Sequence, residues 1–189
     1  MNTNQRANAN TKKSTAFIAK LAVMTAVSIV LLLIVRIPFP PAPFLVYDPA
    51  DVPIYITAFA FGPAAGLAVT FAVCFLQAFA LGGDGLYGFL MHFVATGIVV
   101  VIIGGLYKRE KTKRRAMIAL IIGVILATII MCIMNLLVTP AYMGAPVSAV
   151  MAMIPTVIIP FNLLKAGLNS ILTFLLYKRI SVLLHNEGV

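Results

Sequence analysis

Five stretches of this chain offer water almost nothing to hold. Apolar runs lie near residues 15–35, 52–81, 86–107, 116–139 and 154–177, and an α-helix needs only roughly 20 such residues to cross a hydrocarbon core about 30 Å thick. Lipid leaves little choice of structure, because a backbone N–H or C=O without a partner there costs several kcal/mol and a helix satisfies both within itself. An all-α, polytopic membrane protein is the expected fold class. Composition agrees, with 62% hydrophobic and only 10% charged residues. The formal charge of +9 then reads as topology rather than as affinity for nucleic acid, since lysine and arginine are retained on the cytoplasmic side.

The basic residues decide the number of crossings. Of the fourteen, Arg6, Lys12, Lys13 and Lys20 lie near the N-terminus, six lie between Lys108 and Arg115, and Lys178 and Arg179 lie near the C-terminus. Only Arg36 and Lys165 fall elsewhere. If the run 52–81 crossed once, the first two clusters would face opposite sides of the membrane, against the positive-inside rule. Two crossings with a turn at Gly62 and Pro63 put every cluster in the cytoplasm. Six transmembrane helices follow, with both termini cytoplasmic. Thirty residues reach only about 45 Å at 1.5 Å each, short of two full spans, so a short second helix is expected. The alternative is a re-entrant hairpin buried in protein.

Residues 1–14 read as a cytoplasmic tail, 15–180 as one six-helix domain and 181–189 as a second cytoplasmic tail. The first apolar run is long enough to span and reads as a retained helix rather than a cleaved signal. Tyr107 and Tyr177, each before a Lys-Arg pair, read as anchors at the inner interface; Tyr47, Tyr55, Tyr87 and Tyr142 fall at the outer ends. Asp48, Asp51 and Asp84 also fall outside.

Polar groups inside the spans can now be given a depth. Lys165 lies twelve residues before Tyr177, about 18 Å along the helix and therefore in the outer half. Asn135, Asn162, Gln77 and His92 also lie toward the outer ends of their helices. Asn162, Lys165, Asn169 and Thr173 recur at intervals of three and four, which makes one stripe on one helix face. That stripe must face the bundle interior. An ammonium at this depth is costly unless it pairs or reaches water, and such residues are functional candidates; pairing with Asp48, Asp51 or Asp84 for packing alone is the competing reading. The polar side chains thus outline a cup open to the outside.

Residues 36–53, "RIPFPPAPFLVYDPADVP", hold six prolines and cannot be helical. Their apolar and aromatic residues suit a lid over the cup, or a rigid connector. "LGGDGLYG" at 81–88 reads as a tight turn rather than a phosphate loop, for no lysine follows it. No Walker A sequence, HExxH or His/Cys cluster is present, and Cys74 and Cys132 lie in apolar runs where packing is their role. No metal site or cofactor is expected. The chain reads as a binder that needs other proteins for energy; an intramembrane enzyme acting on lipid through Lys165 or His92 would lack a second catalytic group.

Taken together, the short second helix, the proline-rich first outer loop "FPPAPFLVYDPADVP", and "MNLLVTP" and "PFNLLK" resemble the substrate-binding S components of energy-coupling factor (ECF) transporters. The riboflavin-binding members are the most similar, with thiamine or biotin as alternative vitamins. The resemblance implies a ligand captured from outside a bacterial plasma membrane, and a transmembrane T component and two cytoplasmic ATPases as partners. It implies ligand contacts at Phe44, Leu45, Tyr47, Asp48, Asn135, Asn162 and Lys165, and a docking face for the T component at Ala22 and Ala26 of "AVMTA". Small residues give that face a physical basis, because they let helices approach closely in lipid.

Overall fold

A computed structural model describes residues 3–82 and 84–186; residues 1–2, Gly83 and 187–189 of the expected tails and turn lie outside it. Seven helices and a short hairpin follow in order: α1 (Thr3–Ile34), β1 (Ile37–Phe39), β2 (Ala42–Tyr47), α2 (Asp51–Phe61), α3 (Pro63–Phe75), α4 (Gly85–Arg109), α5 (Lys113–Met143), α6 (Val147–Met153) and α7 (Ile159–Asn186). π-helical turns extend α3 through Leu76–Ala80 and join α6 to α7 through Ile154–Ile158. Five helical stretches are long and apolar enough to cross a membrane, and α2 is the short apolar helix beside them.

Each long helix separates its faces by residue type. On α5, Ile121, Ile125, Ile129, Ile133 and Leu137 form an exposed row at every fourth position, while Ala116, Ala119, Leu120, Gly123, Thr128, Asn135 and Thr139 are buried. In a membrane protein the outward row meets lipid, and small or polar residues face neighbouring helices. Glycine permits the tightest contact. A Cβ at Gly66 of α3 would come within 2.6 Å of Val100 Cγ1 and 2.7 Å of Ala58 Cβ, so α2, α3 and α4 pack this closely only without a side chain there.

The break at "FGPAAG" is the turn between α2 and α3. Gly62 takes φ +95° and its N–H bonds Ala58 O, while Pro63 opens α3 at a position where its missing N–H costs nothing. At eleven residues, α2 reaches about 16 Å, roughly half a hydrocarbon core. Every residue from Val52 to Ala60 is buried. The short helix is therefore enclosed by protein along its length rather than by lipid.

Several expectations need correction. The expected tails are helical where they are described, because α1 already begins at Thr3 and α7 continues through 181–186. Within the all-α fold the proline-rich loop is not irregular but folds into an antiparallel hairpin pairing Ile37 with Tyr47 and Pro38 with Val46. A two-stranded ribbon has two edges, which lets prolines occupy positions that would break a central strand. Tyr107 and Tyr177 are not interfacial anchors. They are 8% and 2% exposed and meet Phe59 of α2, with ring centroids 4.4 Å (Phe59–Tyr107), 5.6 Å (Phe59–Tyr177) and 5.7 Å (Tyr107–Tyr177) apart. These three rings form the centre of an aromatic plug.

At the same end, Lys20 Nζ of α1 donates to Leu184 O of α7. Phe61 at the end of α2 packs on Phe17 and stacks on His185. The basic residues 108–115 join α4 to α5 at this end too, a turn beyond Tyr107. Here Thr112 caps α5 by accepting from Arg115 N at 3.1 Å.

Candidate functional site

Opposite the plug, a cavity of about 340 Å³ opens between the hairpin and α2, α3, α4, α5 and α7. Its size lies at the lower end of the range for small-molecule sites. One wall is the β2 segment Phe44, Leu45 and Val46; the floor includes Asp51 and Tyr55 of α2; α5 and α7 supply Asn135, Thr139, Phe161, Asn162 and Lys165. Phe39 of β1 packs on Phe161 at 5.5 Å between ring centroids. The hairpin is thereby held against α7.

The helix stripe read from the sequence does face inward. Asn162, Asn169 and Thr173 are buried, while Leu164, Leu168, Ile171 and Leu175 on the same helix are exposed. Lys165 Nζ donates to Asp48 Oδ2 at 2.7 Å, with the two side chains only 16% and 11% exposed. Asp48 Oδ1 also accepts from Ala50 N at 3.1 Å. Burial alone would raise the Asp48 carboxyl, but the charge and hydrogen bond of Lys165 outweigh it and hold the group below the usual carboxylate range. One further turn along α7, Asn169 Nδ2 donates to Asp48 O and to Asp51 Oδ2, each at 3.2 Å. Thr96 Oγ1 of α4 donates to Asp51 Oδ1 at 3.4 Å. A single network thus ties the hairpin-to-α2 junction to α4 and α7.

The two cavity asparagines are positioned by their own helices. Asn135 Nδ2 donates to Met131 O at 2.8 Å while Oδ1 accepts from Thr139 Oγ1 at 3.0 Å, and Asn162 Nδ2 donates to Ile158 O at 2.8 Å. Each amide has a second N–H and carbonyl lone pairs beyond these bonds. Such a group can recognise a ligand edge that alternates donor and acceptor.

Of the residues expected to bind ligand, Phe44, Leu45, Asp48, Asn135, Asn162 and Lys165 all line the cavity. Tyr47 does not. It lies at the end of the same strand, one residue before Asp48, and is half-buried outside the cavity lining. Ala22 and Ala26 lie far from the cavity and are exposed on α1. Asp51, expected toward the outside with Asp48 and Asp84 but not as a ligand contact, opens α2 and lines the cavity floor. Its position three residues after Asp48 at the start of an apolar run was the available signal. Asp84 lies at the rim, where Tyr142 Oη donates to its Oδ1 at 2.7 Å. Gln77 and His92 line the cavity as their depth implied. Among the described residues no cluster of three His, Cys, Asp or Glu side chains has the arrangement to hold a metal ion.

Long apolar helices around a half-buried polar cavity define a multi-pass membrane protein built to hold a small molecule. Residues 16–177 match the family described as ECF transporter, substrate-specific component. The chain belongs to this family, whose members are transporter components rather than enzymes. The riboflavin transporter RibU of Staphylococcus aureus (strain TCH60) is 31% identical over 168 residues, covering 85% of this chain and 88% of the relative. The riboflavin transporter FmnP of Bacillus subtilis (strain 168) is 29% identical, covering 86% and 92%. A solved structure described as "Structure and mechanism of the S component of a bacterial ECF transporter" superposes with a TM-score of 0.77 at 29% identity, covering 91% of this chain and 99% of that one. The chain is a multi-pass protein of a bacterial cell membrane.

Proposed function

We propose that this protein is the riboflavin-binding S component of an ECF uptake transporter. The observation that carries the reading is the correspondence of nearly the whole chain with relatives named riboflavin transporters. The cavity supplies compatible chemistry. The flavin ring is flat and apolar on its faces, which suits Phe44, Leu45 and Phe161, and its pyrimidine edge alternates carbonyls with one N–H, which suits Asn135 and Asn162. Lys165 can only donate, and a ring carbonyl is an acceptor it can share with Asp48.

The positive-inside rule orients the chain with its three basic clusters in the cytoplasm and the cavity facing out, with α2 as the short second of six passes. Ligand is then captured from outside above the aromatic plug. The chain holds no nucleotide-binding loop of its own, so a T component and two ATPases supply movement and energy. Ala22 and Ala26, exposed on one face of α1 and four residues apart, offer the close-packing surface on which the T component docks.

The test is purification in detergent followed by a visible absorption spectrum and a flavin fluorescence titration. A bound flavin spectrum and saturable quenching are expected. Saturable binding of thiamine or biotin with no response to riboflavin would overturn the choice of vitamin.

A further inference from the structure

The cavity floor contains a carboxylate for which the reading above has no use. Asp51 lines the cavity and accepts one hydrogen bond on each oxygen, from Asn169 Nδ2 at 3.2 Å and Thr96 Oγ1 at 3.4 Å. Both donors are neutral. Lys165 directs its short bond to Asp48 instead, and no cation bonds Asp51 among the described residues. An ionised carboxylate has about four acceptor sites, so two remain after Asn169 and Thr96. A buried acceptor with unused lone pairs costs free energy until a donor reaches it.

We propose that Asp51 is a specificity-determining residue that accepts hydrogen bonds from the ribityl hydroxyls of the ligand. The inference rests on the riboflavin reading and deepens it. Riboflavin carries two kinds of donor, the single ring N–H and the hydroxyls of its side chain. Asn135 and Asn162 both donate and accept, so they match the ring edge, where a donor lies between two acceptors. Asp51 only accepts, and a polyol is the part of the ligand that presents donors without competing acceptors of fixed geometry. Asn169 of α7 and Thr96 of α4 each occupy one oxygen of the carboxylate, and Asp51 lines the cavity with its remaining lone pairs unclaimed.

The experiment compares riboflavin with lumiflavin, which keeps the isoalloxazine ring and replaces the ribityl chain by a methyl group. Both are titrated by fluorescence quenching against the purified full chain and against Asp51→Asn. Wild type should bind riboflavin at least about tenfold more tightly than lumiflavin, the scale of one hydrogen bond to a charged group. Asp51→Asn should reduce riboflavin affinity by a similar factor and change lumiflavin affinity less than about twofold. A parallel loss for both ligands would mean that Asp51 only supports the fold, and would overturn the proposal. If the variant does not fold, equal affinity of the wild type for the two flavins would still overturn the proposal, because it would leave the hydroxyls without a role. Equal and tight binding of both overturns this inference alone; binding of neither overturns the riboflavin reading with it.

Discussion

The two ends of this bundle solve the same problem with different chemistry. At the hairpin end, buried polar groups bond across elements far apart in sequence: Lys165 to Asp48, Asn169 to Asp48 and Asp51, Thr96 to Asp51. At the basic end the same helices meet through rings, Phe59 on Tyr107 and Tyr177. Only one turn of α2 separates Tyr55, which lines the cavity, from Phe59 in the plug. The polar end is left with unused hydrogen-bonding capacity and the aromatic end is closed by packing. Tyr177 Oη is also without a hydrogen-bond partner among the described residues, but it is sealed within the plug, so a ligand can reach only the first.

If that contrast holds, damage to the two ends should separate binding from stability. The largest expected effect is on binding. Lys165→Ala should weaken riboflavin affinity by about 100-fold or more, since it removes a charged donor and leaves Asp48 buried without its partner. A Lys165→Met, Asp48→Leu double substitution removes the stranded charge as well. It should restore thermal stability in detergent but not binding; recovered affinity would show that the ion pair serves packing alone.

The next effect falls on stability. Tyr177→Ala in the plug should cost about 3–5 kcal/mol, the range for deleting a large buried ring, read as a lower thermal midpoint. Riboflavin affinity measured well below that midpoint should change little. A large loss of affinity without a loss of stability would erase the distinction between the ends. Gly66→Ala is milder, about 1–3 kcal/mol of overpacking where its Cβ meets Val100 and Ala58.

Acidification offers a finer probe of the polar end. Asp48 has a folded pKa below its ordinary value, so its contribution to stability is complete above the usual carboxylate range and is lost as pH falls through the lowered value. Stability attributable to the Asp48–Lys165 pair should therefore persist through about pH 4 and fall away below it. Asp48→Asn should remove that dependence. Thermal melts of the two proteins across the acid range make the comparison, and parallel curves would exclude Asp48 as its source. The smallest effect belongs to the exposed rim, where Tyr142→Phe should alter riboflavin affinity less than about threefold.

The sequence made some of this legible and hid the rest for physical reasons. Spans and the α2–α3 turn were legible because lipid admits few structures and Gly-Pro marks a break. The inward stripe of α7 was legible because Asn162, Lys165, Asn169 and Thr173 share a face at helical spacing. The hairpin was not, since prolines mask strand pattern and two-stranded ribbons tolerate them. Tyr107 and Tyr177 were misread because a tyrosine beside a Lys-Arg pair has the same sequence whether its ring turns to lipid or inward. Asp51 was placed outside but not among the ligand contacts, because its spacing from Asp48 is also what an ordinary helix start would show. Distances such as that from Lys165 to Asp48, 117 positions apart in the chain, follow only from the packed bundle.

The brevity of α2 also bears on how the protein reaches its membrane. Eleven residues are too few to be retained in a bilayer as a single segment, which takes about 20. The partner that completes it is α3, joined through Gly62 without an intervening loop. During synthesis the two must therefore enter as one unit, and α2 gains its full enclosure only after α4 and α7 have followed. The last helix made thus closes the wall around one of the first.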